Sequence, residues 1–157
     1  MSRRYTVVFE SVATTAAQDL IQVKGASGKV LRILRAWWGC TNTTLATSQS
    51  ISTRCSYLAA TVTDGSGGTT PTPRKMDPGD AAASFTALAN NTTPATSSGK
   101  VTLDESGDHL YNGYRSGWSE KSAPVVGPSE SFAMELLSTP SGTVNLSGGV
   151  EVEEIGG

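Results

Sequence analysis

Two adjacent tryptophans at the end of one apolar run constrain this fold more than any other feature. The run Lys29-Val30-Leu31-Arg32-Ile33-Leu34-Arg35-Ala36-Trp37-Trp38, stopped by Gly39, has the content of a β-strand. Neighbouring side chains on a strand point to opposite faces, so Trp37 and Trp38 fall on different sides of a sheet. One fills a core; the other needs a second sheet, a loop or another subunit. With apolar residues on both faces, the segment is expected to be central and covered on both sides.

The rest of the chain repeats this strand signal in short pieces. Tyr5, Val7 and Phe9 fall on one face of an N-terminal strand, and Asp19–Lys24 forms a second that ends at the turn Gly25-Ala26-Ser27-Gly28. Further strands are expected over Ser52–Thr63, Lys100–Leu103, around His109–Tyr111, at Pro124–Val126, and over Ser131–Leu137 with Phe132, Met134 and Leu136 aligned. Thr143–Ser147 and Val150–Glu153 read as a final hairpin turning at Gly148-Gly149. Between Asp64 and about Gly99 the alternation stops among Gly, Pro, Thr and Asn. Thirty-odd residues of that kind exceed ordinary loop lengths and predict a long loop or arm. An Ala-rich helical turn over Asp80–Leu88, capped by Asp80, is the one helical element expected there.

Seven to nine short strands without a long helix imply an all-β antiparallel β-sandwich, with a jelly roll ahead of an immunoglobulin-like arrangement. In the latter a tryptophan lies between two cysteines, whereas here Trp37 and Trp38 precede both Cys40 and Cys55. At 157 residues, 37% of them hydrophobic, the chain suits a single domain, 1–157, with one modest core. Only 17% of residues are charged, with Ser and Thr at 20 each taking the surface positions, and the formal charge is −2. No Lys/Arg run exceeds two, so nucleic-acid binding is not expected. No apolar stretch reaches the ~18 residues of a membrane span, and the N-terminus lacks the apolar core of a signal peptide. Cys40 and Cys55 are therefore expected as reduced, mostly buried thiols.

Catalytic chemistry finds few footholds. The single histidine, His109, follows Asp108, but neighbours on a strand point apart and do not make an orienting pair. No Gly-x-Ser-x-Gly occurs, and Gly25–Val30 is too short between its glycines for a phosphate loop. Asp104, Glu105 and Asp108, like Asp77 and Asp80, read as solvated turn acids, because neither set follows calcium-loop order. No cofactor and no enzymatic activity is expected. The sequons at Asn42, at Asn90 and Asn91, and at Asn145 carry no weight in a chain so rich in Ser and Thr. Tyr114 and Trp118, in an aromatic Gly-rich loop, would fill the core, make a subunit contact or stack on a sugar ring, the last raising the alternative of a glycan-binding module.

The segments Arg4–Ala13 and Thr15–Leu20 resemble the opening of a family of small structural proteins of tailed bacteriophages. Gly65–Gly68, Pro71–Arg74, Asp77–Ala83 and Ala89–Thr93 are similar to that family's middle segment, and Val152–Gly157 to its end. The likeness spans nearly the whole chain, is weakest over Cys40–Ser56, and brings no catalytic or ligand motif. It implies a head decoration, or cement, protein: a β-sandwich, often trimeric, made in the host cytoplasm and seated on the outside of the expanded phage head. Its partners would be the major capsid protein and further copies of itself. A neck, tail or fibre component shares the same composition. In such a role an arm carrying Pro71, Pro73, Arg74, Lys75 and Met76 would order on assembly against a neighbour. Arg3, Arg4, Arg74 and Lys75 would meet an acidic capsid surface, or else are simply solvated. Trp37 or Trp38, whichever faces away from the core, would anchor the oligomer.

Overall fold

The computed structural model describes residues 2–42 and 47–156, which form eleven strands and no helix. They are β1 (Ser2–Thr14), β2 (Gln18–Lys24), β3 (Val30–Cys40), β4 (Ser50–Leu58), β5 (Arg74–Lys75), β6 (Thr86–Asn91), β7 (Lys100–His109), β8 (Tyr114–Gly117), β9 (Val125–Val126), β10 (Ser131–Leu136) and β11 (Val144–Ile155). One sheet runs β5-β1-β11-β3-β8 with β9 also on β3; the other runs β6-β2-β10-β4-β7. All pairings are antiparallel: β1 with β11, β2 with β10, β3 with β8, and β4 with β7. The first half of the chain is thus zipped to the second as one long ribbon, and the ribbon is rolled so that these four pairs alternate between the sheets. That is a jelly-roll β-sandwich.

Period-2 alternation explains the core. Tyr5, Val7 and Phe9 from β1 meet Ile21 and Val23 from β2, Leu31 and Ile33 from β3, and Phe132, Met134 and Leu136 from β10, all buried. Each such side chain contributes roughly 1.5–3 kcal/mol on full burial. A smaller cluster of Leu58, Val62, Ala95 and Ala133 lies on the far side of the five-stranded sheet, beneath the connection from β4 to β7.

Four local expectations are corrected. Gly148-Gly149 is not a turn: both residues lie inside the continuous strand β11. A Cβ at Gly148 would stand 2.2 Å from the Trp37 carbonyl oxygen, and one at Gly149 2.2 Å from that of Val7. Glycine is required there by the close approach of β3 and β1, not by a reversal of the chain. Asp80–Leu88 is not helical; Phe85, Ala87 and Ala89 alternate inward as β6 joins β2. The Asp80 carboxylate instead lies 4.0 Å from Arg3. The segments at Lys100 and His109 are one strand, β7. Finally, β3 is covered on one face only, since Arg32, Leu34, Arg35 and Trp37 on its outer side are half-buried.

The long segment from 64 to 99 is mostly irregular, yet it lies against the sandwich. Ser66 bridges Thr93 and Thr69 bridges Ala89, so it first follows the outer edge of β6. It then crosses to the other sheet, where Arg74 and Lys75 pair with Thr6 and Tyr5. This strap closes one open side of the sandwich and occupies backbone groups that a bare edge strand would leave unpaired.

Candidate partner-binding surface

The structure separates the two tryptophans. Trp38 is 2% exposed and its indole N–H donates to Thr53 Oγ1 at 2.9 Å. It is a core residue, which removes it from the set of contact residues. Trp37 turns to the outer face of the six-stranded sheet, half-buried, with the Arg35 guanidinium 4.3 Å above its ring centroid. It is the one that lies outside the core.

Register builds a surface around Trp37. Across the sheet it is followed by Arg115 on β8 and preceded by Gly149 and Val8. The next row holds Arg74, Thr6, Glu151, Arg35 and Gly117, and the one beyond it Arg4, Glu153 and Arg32. Glutamates of β11 hold two of these cations: Arg32 Nη1 lies 2.7 Å from Glu153, and Arg35 Nη2 3.6 Å from Glu151. Arg115 is exposed and enters no ion pair among the described residues. Beside Trp37 a shallow pocket of about 380 Å³ is lined by Gly39, Thr41, Asn112, Arg115 and Ser147. A Cβ at Gly39 would meet nothing within 4 Å, so glycine leaves that side open.

Five more of the expected residues converge on one sheet edge. Arg3 and Arg4 lie on β1, Arg74 and Lys75 form β5 beside it, and the Met76 N–H donates to the Arg4 carbonyl at 3.0 Å. Arg3 faces Asp80, and Arg4 Nη2 reaches Glu120 at 3.3 Å. Arg74 and Lys75 are exposed, as is Met76 at 54%. Pro71 and Pro73 are half-buried in the approach to β5. The predicted arm is therefore a strap whose strand is already paired within the subunit.

Of the alternatives for Tyr114 and Trp118, both residues pack against the core. Tyr114 is 4% exposed; its hydroxyl donates to Asp104 Oδ2 at 2.7 Å and lies 3.2 Å from Cys55 Sγ. Burial, followed by these two neighbours, raises its pKa well above the usual phenol range. Trp118 is half-buried, edge-on to Phe132 with centroids 6.1 Å apart. His109 sits at the rim, accepting the Tyr111 N–H on Nδ1 at 3.3 Å, with Ser48 Oγ 2.8 Å from Nε2. Cys40 and Cys55 are both free thiols. Among the described residues no three His, Cys, Asp or Glu side chains converge to hold a metal ion. Of the sequons, Thr43 and Thr44 lie outside the described residues, while Asn91 is buried.

Sequence reasoning missed a polar row across the outer face of the five-stranded sheet. Asn91, Asp19, Glu135, Arg54 and Glu105 are successive cross-strand neighbours on β6, β2, β10, β4 and β7. Glu135, 3% exposed, accepts from Arg54 Nε and Ser56 Oγ at 3.1 Å each and pairs with Lys100. Asn91, Asp19 and Glu135 are buried, whereas Arg54 is half-buried and Glu105 exposed. Nothing local in the sequence marks the first three as buried; Gly65 and Ala95 of the strap lie against Asp19.

Comparison with protein-family models, with curated proteins and with solved structures finds no match to this chain.

Proposed function

We propose that the protein is a non-enzymatic virion component, a decoration protein that seats on the outer surface of a tailed-phage head and bridges neighbouring capsid subunits. One observation carries the reading: Trp37, stacked under Arg35 and flanked by Arg115, is presented on the outer face of a closed jelly roll. Tryptophan and arginine are the side chains most often found at the energetic centre of protein interfaces. A flat sheet face suits a shell, where symmetric display makes many modest contacts act together. The resemblance of Arg4–Ala13, Thr15–Leu20 and Asp77–Ala83 to phage structural proteins supports the same reading.

Co-sedimentation of the purified chain with expanded and with unexpanded heads tests this. Binding to the expanded form, weakened about tenfold or more by Trp37→Ala, is the expected result. Sedimentation with neither form overturns the decoration reading.

The pocket beside Trp37 favours a second reading, a glycan-binding module, because it sets an indole next to Asn112, Arg115, Thr41 and Ser147. A glycan array separates the two: a hit abolished by Trp37→Ala would select the module.

A further inference from the structure

The sequence contains a single Asn-Gly pair, Asn112-Gly113, and the fold sets Asn112 at the rim of the pocket beside Trp37. Glycine has no Cβ to keep its backbone nitrogen away from the preceding side-chain carbonyl, so such a pair is prone to close on itself. Whether it does so depends on what holds the two residues.

Four of the five asparagines are enclosed or held. Asn91 is buried, and Asn90 is half-buried with its Oδ1 inside. Asn42 accepts the Asn145 N–H on its Oδ1, and Asn145 lies within β11, followed by Leu146. The related pair Asp64-Gly65 is fixed as well. Gln22 Nε2 and Lys24 Nζ each donate to the Asp64 carboxylate at 2.7 Å, and the Gly65 N–H donates to Gln22 Oε1 at 3.2 Å. Asn112 differs: it is exposed in the turn between β7 and β8, beside the exposed Tyr111.

The fold requires the glycine that follows it. Gly113 has φ +67°, and a Cβ there would stand 2.4 Å from the Trp38 carbonyl oxygen. The Gly113 N–H donates to the His109 carbonyl at 3.1 Å, and the Asn112 N–H donates to the same oxygen at 2.9 Å. When the longer bond opens, the shorter one still holds the turn, and the Gly113 nitrogen is released.

We propose that Asn112 deamidates spontaneously through a cyclic imide with Gly113, and that the carboxylate so formed pairs with Arg115 at the rim of the Trp37 pocket. The Gly113 nitrogen gives its proton to solvent and bonds to Asn112 Cγ; the Cγ–Nδ2 bond breaks, and Nδ2 leaves as ammonia. Water then opens the ring at either carbonyl, giving aspartate or the β-linked isoaspartate. Water is the only reactant consumed, and one carboxamide becomes one carboxylate. Arg115 lines the same pocket, is exposed, and enters no ion pair among the described residues. Arg32 and Arg35 on the same face are already held by Glu153 and Glu151, so Arg115 is the cation open to a new carboxylate. Isoaspartate also lengthens the backbone of a turn whose glycine already lies against Trp38. The surface around Trp37 therefore changes charge and shape with age. The chemistry rests on neither reading of that face.

Peptide mapping by mass spectrometry of the full chain, kept folded at mildly alkaline pH, tests the covalent step. A gain of about one mass unit at Asn112, with isoaspartate present, is expected roughly tenfold or more faster than at Asn42, Asn90, Asn91 and Asn145. The same chain in urea gives the rate without the fold. An Asn112 that stays intact in the folded protein while it reacts in urea overturns the proposal, as does equal conversion at all the asparagines. Pairing with Arg115 is read by NMR titration of the new carboxyl group in Asn112→Asp. It should titrate roughly half a pH unit or more lower than in Asn112→Asp/Arg115→Gln. Equal titration in the two variants overturns the pairing. None of these readouts needs a phage head, so they stand apart from the sedimentation test of head binding.

Discussion

Asp19 on β2 stands directly opposite Glu135 on β10, with both side chains buried on the outer face of the five-stranded sheet. The two carboxyl groups are treated differently. Glu135 takes the cations, and although burial pushes its pKa up, Lys100 and Arg54 outweigh that and hold it below the ordinary value. Asp19 receives only the Ala95 N–H on Oδ2 at 2.7 Å, and its Oδ1 has no partner. Burial raises its pKa from 3.8 to about 7, against the Ala95 hydrogen bond and with help from the charge of Glu135. Asp19 therefore holds a proton in the folded state over a range where the unfolded chain has lost it.

Stability should depend on pH with a sign that follows from this pair. The Asp19 contribution is complete below about 4 and is lost as pH rises towards about 7. A shift of about three pH units sets an upper bound of ~4 kcal/mol on that loss. The Glu135 contribution runs the other way and is lost as pH falls below its ordinary 4.5. Maximum stability is expected in mildly acid solution. Asp19→Asn should flatten the limb between about 4 and 7 in urea midpoints, leaving the acid limb in place. Equal slopes for the variant and the wild type there would show that Asp19 is not the group responsible.

Removing one partner of the buried ion pair should cost more than removing both. Lys100→Met leaves Glu135 with Arg54 alone, and a loss of roughly 3 kcal/mol is expected. Adding Glu135→Gln should restore much of it, since an uncharged amide no longer needs a buried cation. A double-mutant cycle by denaturant unfolding measures this, and strict additivity would contradict the coupling.

Glycine in β11 is tested by adding a single methyl group. Gly148→Ala places Cβ 2.2 Å from backbone oxygen, so two central strands must part, at a cost of roughly 2–3 kcal/mol. Gly39→Ala, where the new atom meets nothing within 4 Å, should stay within about 0.5 kcal/mol of wild type. Similar melting temperatures for the two variants would argue against the close approach.

The two thiols should differ sharply in reactivity. Cys55 is fully buried beside Tyr114, and burial, opposed by the Tyr114 hydrogen bond, pushes its pKa up to about 12. Cys40 is half-buried at the end of β3. A thiol reagent at neutral pH should modify one cysteine in the folded protein and two after unfolding. Modification of Cys55 without unfolding would show that its surroundings open readily.

Alternation in the sequence was enough to locate most of the long strands and much of the core. Tyr5, Val7 and Phe9, and equally Phe132, Met134 and Leu136, share a face because a strand repeats every two residues, and that period is local. The same rule put Trp37 and Trp38 on opposite sides, but it did not choose between them. The choice came from register, which sets Trp38 against Thr53 and leaves Trp37 between Gly149 and Arg115. Register also placed Gly148 and Gly149 inside β11, where neighbours from distant parts of the chain exclude a side chain; locally the same pair reads as a turn. The strap went unread for a related reason, since its two short strands exist only where β1 and β2 offer unpaired edges. The burial of Asp19 and Glu135 was likewise decided in three dimensions. A charged residue looks exposed until the segment that covers it, far away in sequence, has folded over it.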